Sequence, residues 1–349
     1  MLEDKYLAYK RSAYKKIFAS SLGVLLVAVF CLIFGTDIGV MEAITACIGF
    51  IKTGDFTGNN IAMQKIIVLL RMPRMCLAIL AGIGLSIAGM MMQSVTRNML
   101  VSPFTLGVSS AAAFGASICI VFGSSTIFFN DAAIIGSAFA ASMCSVALVF
   151  MVAKRIGITA NTIILVGIAM NYFCSALTAT LQFFAEENKL AAVVQWTFGS
   201  FNRANWHGVV VISVIVLICY VAGTRLTLKW NAMASGDDET VKSLGINPEQ
   251  LRTLTMILAV LVTATIISFT GVIGFVGLIA PHMARYLVGN DHSVLFPMSA
   301  TLGAGLLVLA DTIGKFILYP VNIPVGIVVS FVGVPIFVQL ILQSRRSSL

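Results

Sequence analysis

Apolar runs of about twenty residues, broken by short polar or glycine-bearing segments, recur along the whole chain. A helix needs about 20 mostly apolar residues to cross the hydrocarbon layer. The pattern predicts ten such helices, near 17–35, 75–95, 103–122, 131–153, 162–185, 207–224, 251–270, 271–288, 294–314 and 324–342. The expected fold is therefore an all-α integral membrane domain spanning 17–349, after a basic N-terminal segment, residues 1–16. The first run, Ile17 to Gly35, follows Lys5, Lys10, Arg11, Lys15 and Lys16, as a secretory signal would. Its apolar part is long, and no small-x-small cleavage pattern follows it, so a retained first helix is expected.

Two connections stand out. Residues 36–65, with Gly54, Gly58 and two asparagines, read as an outer loop with a partial helix. Residues 225–250 form the longest polar segment, and its second half is punctuated as helix. Thr240 to Leu244 is a short helical run stopped by Gly245. Asn247 then offers an N-cap, Pro248 occupies the first helical position and Glu249 the first turn. Glycines inside apolar runs (Gly82, Gly84, Gly89, and Gly271, Gly274, Gly277) point to close helix packing.

Composition agrees with a membrane domain: 59% of residues are hydrophobic and 10% charged, against roughly 25% charged in soluble proteins. The net charge of +8 would suit nucleic acid, but its placement does not. With the N-terminus inside, an even number of spans returns the C-terminus to the cytoplasm. That orientation puts 15 Lys and Arg residues inside and 7 outside, the bias of cytoplasmic loops. The seven cysteines are scattered through apolar segments without a CxxC pair, as packing residues.

The chain carries no engine of its own. Acids within spans, which ion-coupled carriers use, are nearly absent. Asp311 is the clearest exception, and Lys315 four residues on suggests an i,i+4 pair. There is no HExxH, GxSxG or P-loop and no acidic metal cluster, so enzymatic activity is not expected. His207, His282 and His292 lie near span ends, as interfacial residues. One span has a polar stripe: Asn171, Ser175, Thr178 and Gln182, spaced 4, 3 and 4, share a helix face that extends to Glu186. Such a stripe faces either a water-filled path or a neighbouring helix.

Several segments, in order from about residue 66 to 342, resemble the membrane permeases of type II ABC importers for ferric siderophores, haem and cobalamin. The strongest is Gly271 to Asp291, GVIGFVGLIAPHMARYLVGND, followed by His292. With it come Leu309-Ala310-Asp311, Ile323 to Ile327, Gly333-Val334-Pro335, Arg71-Met72-Pro73-Arg74, and Gln93 with Arg97 to Pro103. The resemblance implies a type II importer permease fold and two permease copies around a central path. It also implies separate ATPase subunits, which use ATP and Mg, and an external solute-binding protein; no cofactor is expected on this chain. Arg71, Arg74 and Lys315 match basic docking positions for the binding protein, although anchoring to lipid phosphates would also account for them. The family often has Arg where Lys315 stands, and Lys is a point charge rather than a fork. Asn98 and Leu100 match an inner gate loop, with Met99 where proline is common. Ala160 and Glu186 fall at the gate-related ends of the fifth span, in place of hydroxyl residues seen in some members. Leu244, Gly245, Ile246 and Asn247 match the segment that rests on the ATPase. The implied location is the cytoplasmic (inner) membrane, and the implied cargo a ferric siderophore, with haem or cobalamin the alternative. An ion-coupled carrier is the rival from another class.

Overall fold

The computed structural model describes residues 2–33, 45, 61–123, 131–318 and 321–346, and among them all regular structure is helical. In chain order the helices are α1 (Leu2–Ile33), α2 (Ile61–Lys65), a π-helical turn (Ile66–Arg71) and α3 (Met72–Thr96). A 3₁₀ turn (Pro103–Leu106) leads to α4 (Val108–Phe122), then α5 (Asp131–Ile156), α6 (Ala160–Phe184) and α7 (Glu187–Thr197). The remainder are α8 (Trp206–Ala234), α9 (Asp238–Ser243), α10 (Pro248–Thr270), α11 (Val276–Val288), α12 (His292–Phe316) and α13 (Val325–Arg346). Seven of the described helices are long and apolar enough to cross a membrane, and α4 and the first half of α13 are shorter apolar helices. Each of the ten expected spans has its helix, but α11, at 13 residues, extends only about 20 Å.

α3 is the axis of the bundle. The most apolar window of the Ile66–Thr96 stretch is 78% buried, against 6% for α1. α3 packs against α8, α10, α11 and α12, and glycine is the reason it can. A Cβ on Gly82 would lie 2.3 Å from the Gly303 carbonyl oxygen of α12, and one on Gly89 would lie 1.8 Å from that of Gly277 on α11. Backbone therefore meets backbone at two levels of one helix. In lipid, where chain apolarity gives helices no reason to associate, such dispersion contact holds them together.

Some boundaries differ from the sequence expectation. α8 does not stop near residue 224 but runs to Ala234, because Arg225 and Lys229 are ordinary helix residues. The eighth span does not begin at 271: residues 271–275 are non-helical, with Gly271 at φ 74° and Phe275 at φ 65°. Gly271 ends α10 and also lets α7 approach it, since a Cβ there would lie 2.2 Å from the Trp196 carbonyl oxygen, whereas no atom lies within 4 Å of a Cβ on Gly274, which does not pack two helices as expected. α7 was not anticipated. Most of the expected 36–65 outer connection lies outside the described residues.

Candidate functional site

The two ends of α3 carry two polar constellations. At its first turn the chain passes through the π-helical segment, whose register sends the Met72 N–H to the Ile67 carbonyl. The same register would aim residue 73 at the Val68 carbonyl, but Pro73 has no N–H. The Trp206 indole N–H donates to that oxygen instead, at 3.0 Å. This wider turn sets the positions of Arg71, its last residue, and of Arg74 just beyond it. Arg74 grips Asp311 of α12 with Nη2–Oδ1 at 2.7 Å and Nε–Oδ1 at 3.0 Å, and its Nη1 donates to Asn202 at 2.6 Å. Lys315 reaches the other carboxylate oxygen at 2.7 Å. Arg71 donates to the Leu32 carbonyl at 3.2 Å.

Asp311 is completely buried, whereas the Arg74 and Lys315 side chains keep 13% and 28% of their exposure. The expected Asp311–Lys315 pair is present, and Arg74 joins it. Arg71, Arg74 and Lys315 line one hollow of about 440 Å³ together with Asn202, Thr312 and Asn322. Arg74 and Lys315 share the Asp311 carboxylate, and Arg71 brings a third cation to the hollow, so among the described residues cations outnumber carboxylates there. Chemically it suits an acidic side chain or another anion.

At the opposite end of α3, Arg97 closes the helix at φ 51°. Asn98 Oδ1 accepts from the Leu100 N–H at 2.9 Å, a side-chain turn that leaves Met99 and Leu100 about half exposed. Nearby, α9 starts on Asp237, whose Oδ1 accepts from the Thr240 N–H at 2.9 Å and its hydroxyl at 2.6 Å. Those bonds, the hydroxyl's first, hold the Asp237 carboxyl below its ordinary pKa. The helix ends as its sequence predicts. Gly245, at φ 79°, donates to Lys242 and Ile246 donates to Val241, which satisfies the last carbonyls. Asn247 Oδ1 then accepts from the Glu249 and Gln250 N–H groups at 3.1 Å, capping α10. Leu244 stands out from this turn, 58% exposed. The result is a stiff, doubly capped elbow with an apolar tip.

The FecCD transport family matches residues 18–343. The chain belongs to this family. An ABC transporter permease protein of Methanocaldococcus jannaschii is 40% identical over 285 residues, 79% of this chain and 81% of that one. A hemin transport system permease of Yersinia pestis is 32% identical over 83% of this chain and 87% of its own length. The molybdate import system permease MolB of Haemophilus influenzae is 32% identical over 97% and 98%. Among solved structures, an inward-facing metal-chelate type ABC transporter superposes with a TM-score of 0.83 at 30% identity, covering 94% of this chain and 99% of that one. The chain is thus a multi-pass transport permease with the fold of type II ABC importers.

Within this FecCD permease the polar stripe of α6 straddles a boundary. Thr178 is buried and its hydroxyl donates back to the Cys174 carbonyl at 2.9 Å, while Ser175 is exposed and Asn171 and Gln182 are half-buried. The Asn171 backbone abuts Gly107 below α4. α6 packs on α4 and α5 along one side, and Leu165, Tyr172, Phe173, Phe183 and Phe184 on the other are all more than half exposed. Ala160 begins α6, behind the Thr159 cap, and exposed Glu186 stands just past its far end, at the start of α7. The stripe and Ala160 therefore lie on one helix but not on one open face, and Glu186 caps the next helix rather than extending the stripe.

Several residues escaped the sequence reading. Gln93 is buried, donates to the Gly277 carbonyl at 3.2 Å and accepts from Arg285 at 2.6 Å. His292 is not a loose interfacial residue: it is 5% exposed, and both its backbone N–H and its ring meet Asn231 Oδ1. Arg97 and Arg252 counted only as inward-side cations, yet both engage Asp238. Nothing in local spacing marks a 155-residue separation such as Arg97 to Arg252. Only the unusual presence of Arg252 one turn into an apolar helix hints at a buried partner.

Proposed function

We propose that this permease forms the membrane path of an importer for a ferric siderophore. A solute-binding protein would deliver the cargo outside, and separate ATPase subunits would bind beneath. The observation that carries the reading is the pairing of two unlike polar ends on one central helix. One is a cationic hollow fit for carboxylates, and the other a capped elbow with an exposed leucine fit for a cleft in another protein. Two copies would enclose the path, with the exposed apolar flank of α6 available to the second copy or to lipid. Both termini would be cytoplasmic, in the cytoplasmic membrane. The iron-chelate choice draws on the hemin and metal-chelate relatives; the molybdate relative supports a second reading, import of an oxyanion.

Reconstitution tests this directly. Proteoliposomes containing the permease, its ATPase and its binding protein are offered labelled ferric siderophore, with haem, cobalamin and molybdate as competitors. Uptake that needs ATP and loaded binding protein supports the importer reading, and the competitors fix the cargo class. Accumulation driven by an ion gradient without ATP would overturn it. Arg71→Glu is the clean probe of docking, because Arg74→Glu would set a second carboxylate against buried Asp311. Weaker, less salt-sensitive docking by Arg71→Glu is expected; unchanged docking would remove Arg71 from the interface.

A further inference from the structure

The first turn of α9 holds Asp238, and two arginines from distant parts of the chain converge on its carboxylate. Arg97 Nη1 reaches Asp238 Oδ1 at 3.0 Å, and Arg252 Nη2 reaches the same oxygen at 3.2 Å. Each guanidinium also holds backbone. Arg97 Nε donates to the Met233 carbonyl at 2.6 Å, near the end of α8. Arg252 Nε donates to Val95 of α3 at 3.2 Å, and its Nη1 to Ile158, in the loop before α6, at 3.1 Å. Arg252 is 3% exposed, so its charge is out of water and depends on these partners. One carboxylate thus joins the elbow helix to the ends of α3 and α8, the start of α10 and the loop that launches α6.

The arrangement is suited to passing on a displacement. A guanidinium offers its donors in a rigid planar fork, so moving one acceptor turns the whole group and shifts its other bonds. α9 is six residues long and is held by its caps, by one fully buried apolar side chain, Val241, and by Asp238. A push on Leu244 therefore reaches the membrane helices along two routes, the buried Val241 side chain and the Asp238 carboxylate, and only the second ends on the two inner loops. The two segments at the far side of the clamp are the 97–102 loop, with Asn98 and Leu100, and residues 157–159, immediately ahead of Ala160. Both are the segments matched to the inner gate.

We infer that Asp238 is a positioning residue for energy coupling, linking the α9–α10 elbow to the two inner loops through Arg97 and Arg252. This rests on the importer reading above. The test measures ATP hydrolysed per cargo molecule imported, in reconstituted complexes of wild type, Asp238→Asn, Asp238→Glu, Arg97→Gln and the Asp238→Asn/Arg97→Gln double variant. In Asp238→Asn and in Arg97→Gln the ratio should rise at least about fivefold, the low end of ordinary coupling free energies. Asp238→Glu should restore part of it, and the double variant should be no worse than the worse single. A residue that only stabilises the fold would lower hydrolysis and import together and leave the ratio where it was; that result would overturn the inference. Should Asp238→Asn fail to assemble, Arg97→Gln carries the same measurement, because that side chain is about one-third exposed and its loss is milder. If wild type itself shows no ATP-linked import, the importer reading fails and this inference falls with it. Tight wild-type coupling with an unchanged variant ratio rejects the inference alone.

Discussion

Gly89→Ala puts one methyl group where α3 and α11 touch through their backbones. The added Cβ would sit 1.8 Å from the Gly277 carbonyl oxygen and 2.5 Å from its Cα. Ordinary contact begins near 3.4 Å, so the helices must part by more than an ångström or one must rotate. Neither motion is local. α3 is pinned one side over by Gly82 against Gly303, and Gly277 lies close to Leu85 and Gly89 at once. Overpacking a well-filled interior costs about 1–3 kcal/mol, and a backbone clash belongs at the upper end. The same Gly277 carbonyl accepts from Gln93, and losing that bond adds about 1 kcal/mol. Against this, alanine is better than glycine inside a helix by about 1 kcal/mol. The net expectation is a loss of about 3 kcal/mol.

Gly136→Ala makes the matched control, since no atom lies within 4 Å of its added Cβ and α5 is helical there. It should gain up to about 1 kcal/mol from helix propensity alone. The assay is equilibrium unfolding of the purified protein in detergent, followed by near-ultraviolet circular dichroism, with the two variants and wild type run side by side. The order Gly136→Ala, wild type, Gly89→Ala is expected, with the outer two separated by about 4 kcal/mol. Equal midpoints for the two variants would refute the claim that glycine contact, rather than side-chain packing, holds α3 at the axis.

Three further predictions follow from the polar ends. Asp311→Asn should lower stability by about 3 kcal/mol in the same assay, because it leaves Arg74 and Lys315 facing each other with only partial exposure; no change would mean both cations already reach solvent. Trp206→Phe should cost about 1–2 kcal/mol by stranding the Val68 carbonyl. Adding Pro73→Ala should recover part of that loss by supplying the missing N–H, and a double variant worse than the single would contradict the π-turn account. For Asp237 the folded pKa is depressed, so its cap is fully formed above the ordinary value of 3.8 and is lost as pH falls through the folded value. Hydrogen-exchange protection at the amides of Thr240 to Ser243, corrected for intrinsic rates, should be constant above about pH 4 and fall below it in wild type, and should be weaker and independent of pH in Asp237→Ala; the same fall in both would contradict the cap's role.

The helices were legible because lipid imposes one rule on every span: bury the backbone in helix and keep the side chains apolar. The α9–α10 elbow was legible for a different reason. Gly245, Asn247 and Pro248 act within four residues, so their chemistry is written locally. Gly82, Gly89 and Gly271 could be read as packing residues, but Gly274, which would meet no atom, could not be told apart from them. Glycine for a positive φ and glycine for close approach leave the same letter in an apolar run. Of the polar stripe, spacing placed the residues on one side of α6 but could not say where the packed side ended. That edge depends on α4 and α5. Asp311 with Lys315 was visible as an i,i+4 pair, whereas Arg74, 237 residues away in sequence, was not. The Asp238 clamp is tertiary, and its one local trace is an arginine, Arg252, one turn into an apolar helix.

These features divide the molecule by stiffness, and the division bears on how it works. The α3 stretch is closely packed on several sides, with glycine contacts that tolerate no sliding, so it cannot be the part that moves far. The corresponding windows of α5 and α6 are only 33% and 22% buried, and they rest mainly on α4, on α10 and on each other. They are tied to α4 and its leading turn by glycine contacts of their own, a Cβ on Gly115 lying 2.4 Å from the Ser137 carbonyl oxygen and one on Gly167 lying 2.6 Å from that of Thr105, so a displacement would carry α4, α5 and α6 as one packed group. The polar connections to this pair cluster at one end, where Arg252 holds Ile158 between α5 and α6. Under the coupling inference above, a movement at Leu244 would reach this group through the charged joint at Arg252 and the loop that leads into α6. The hollow around Arg71, Arg74 and Lys315 stays with the axis throughout. On the proposed importer reading, docking outside and motion inside would thus fall to different helices of one chain.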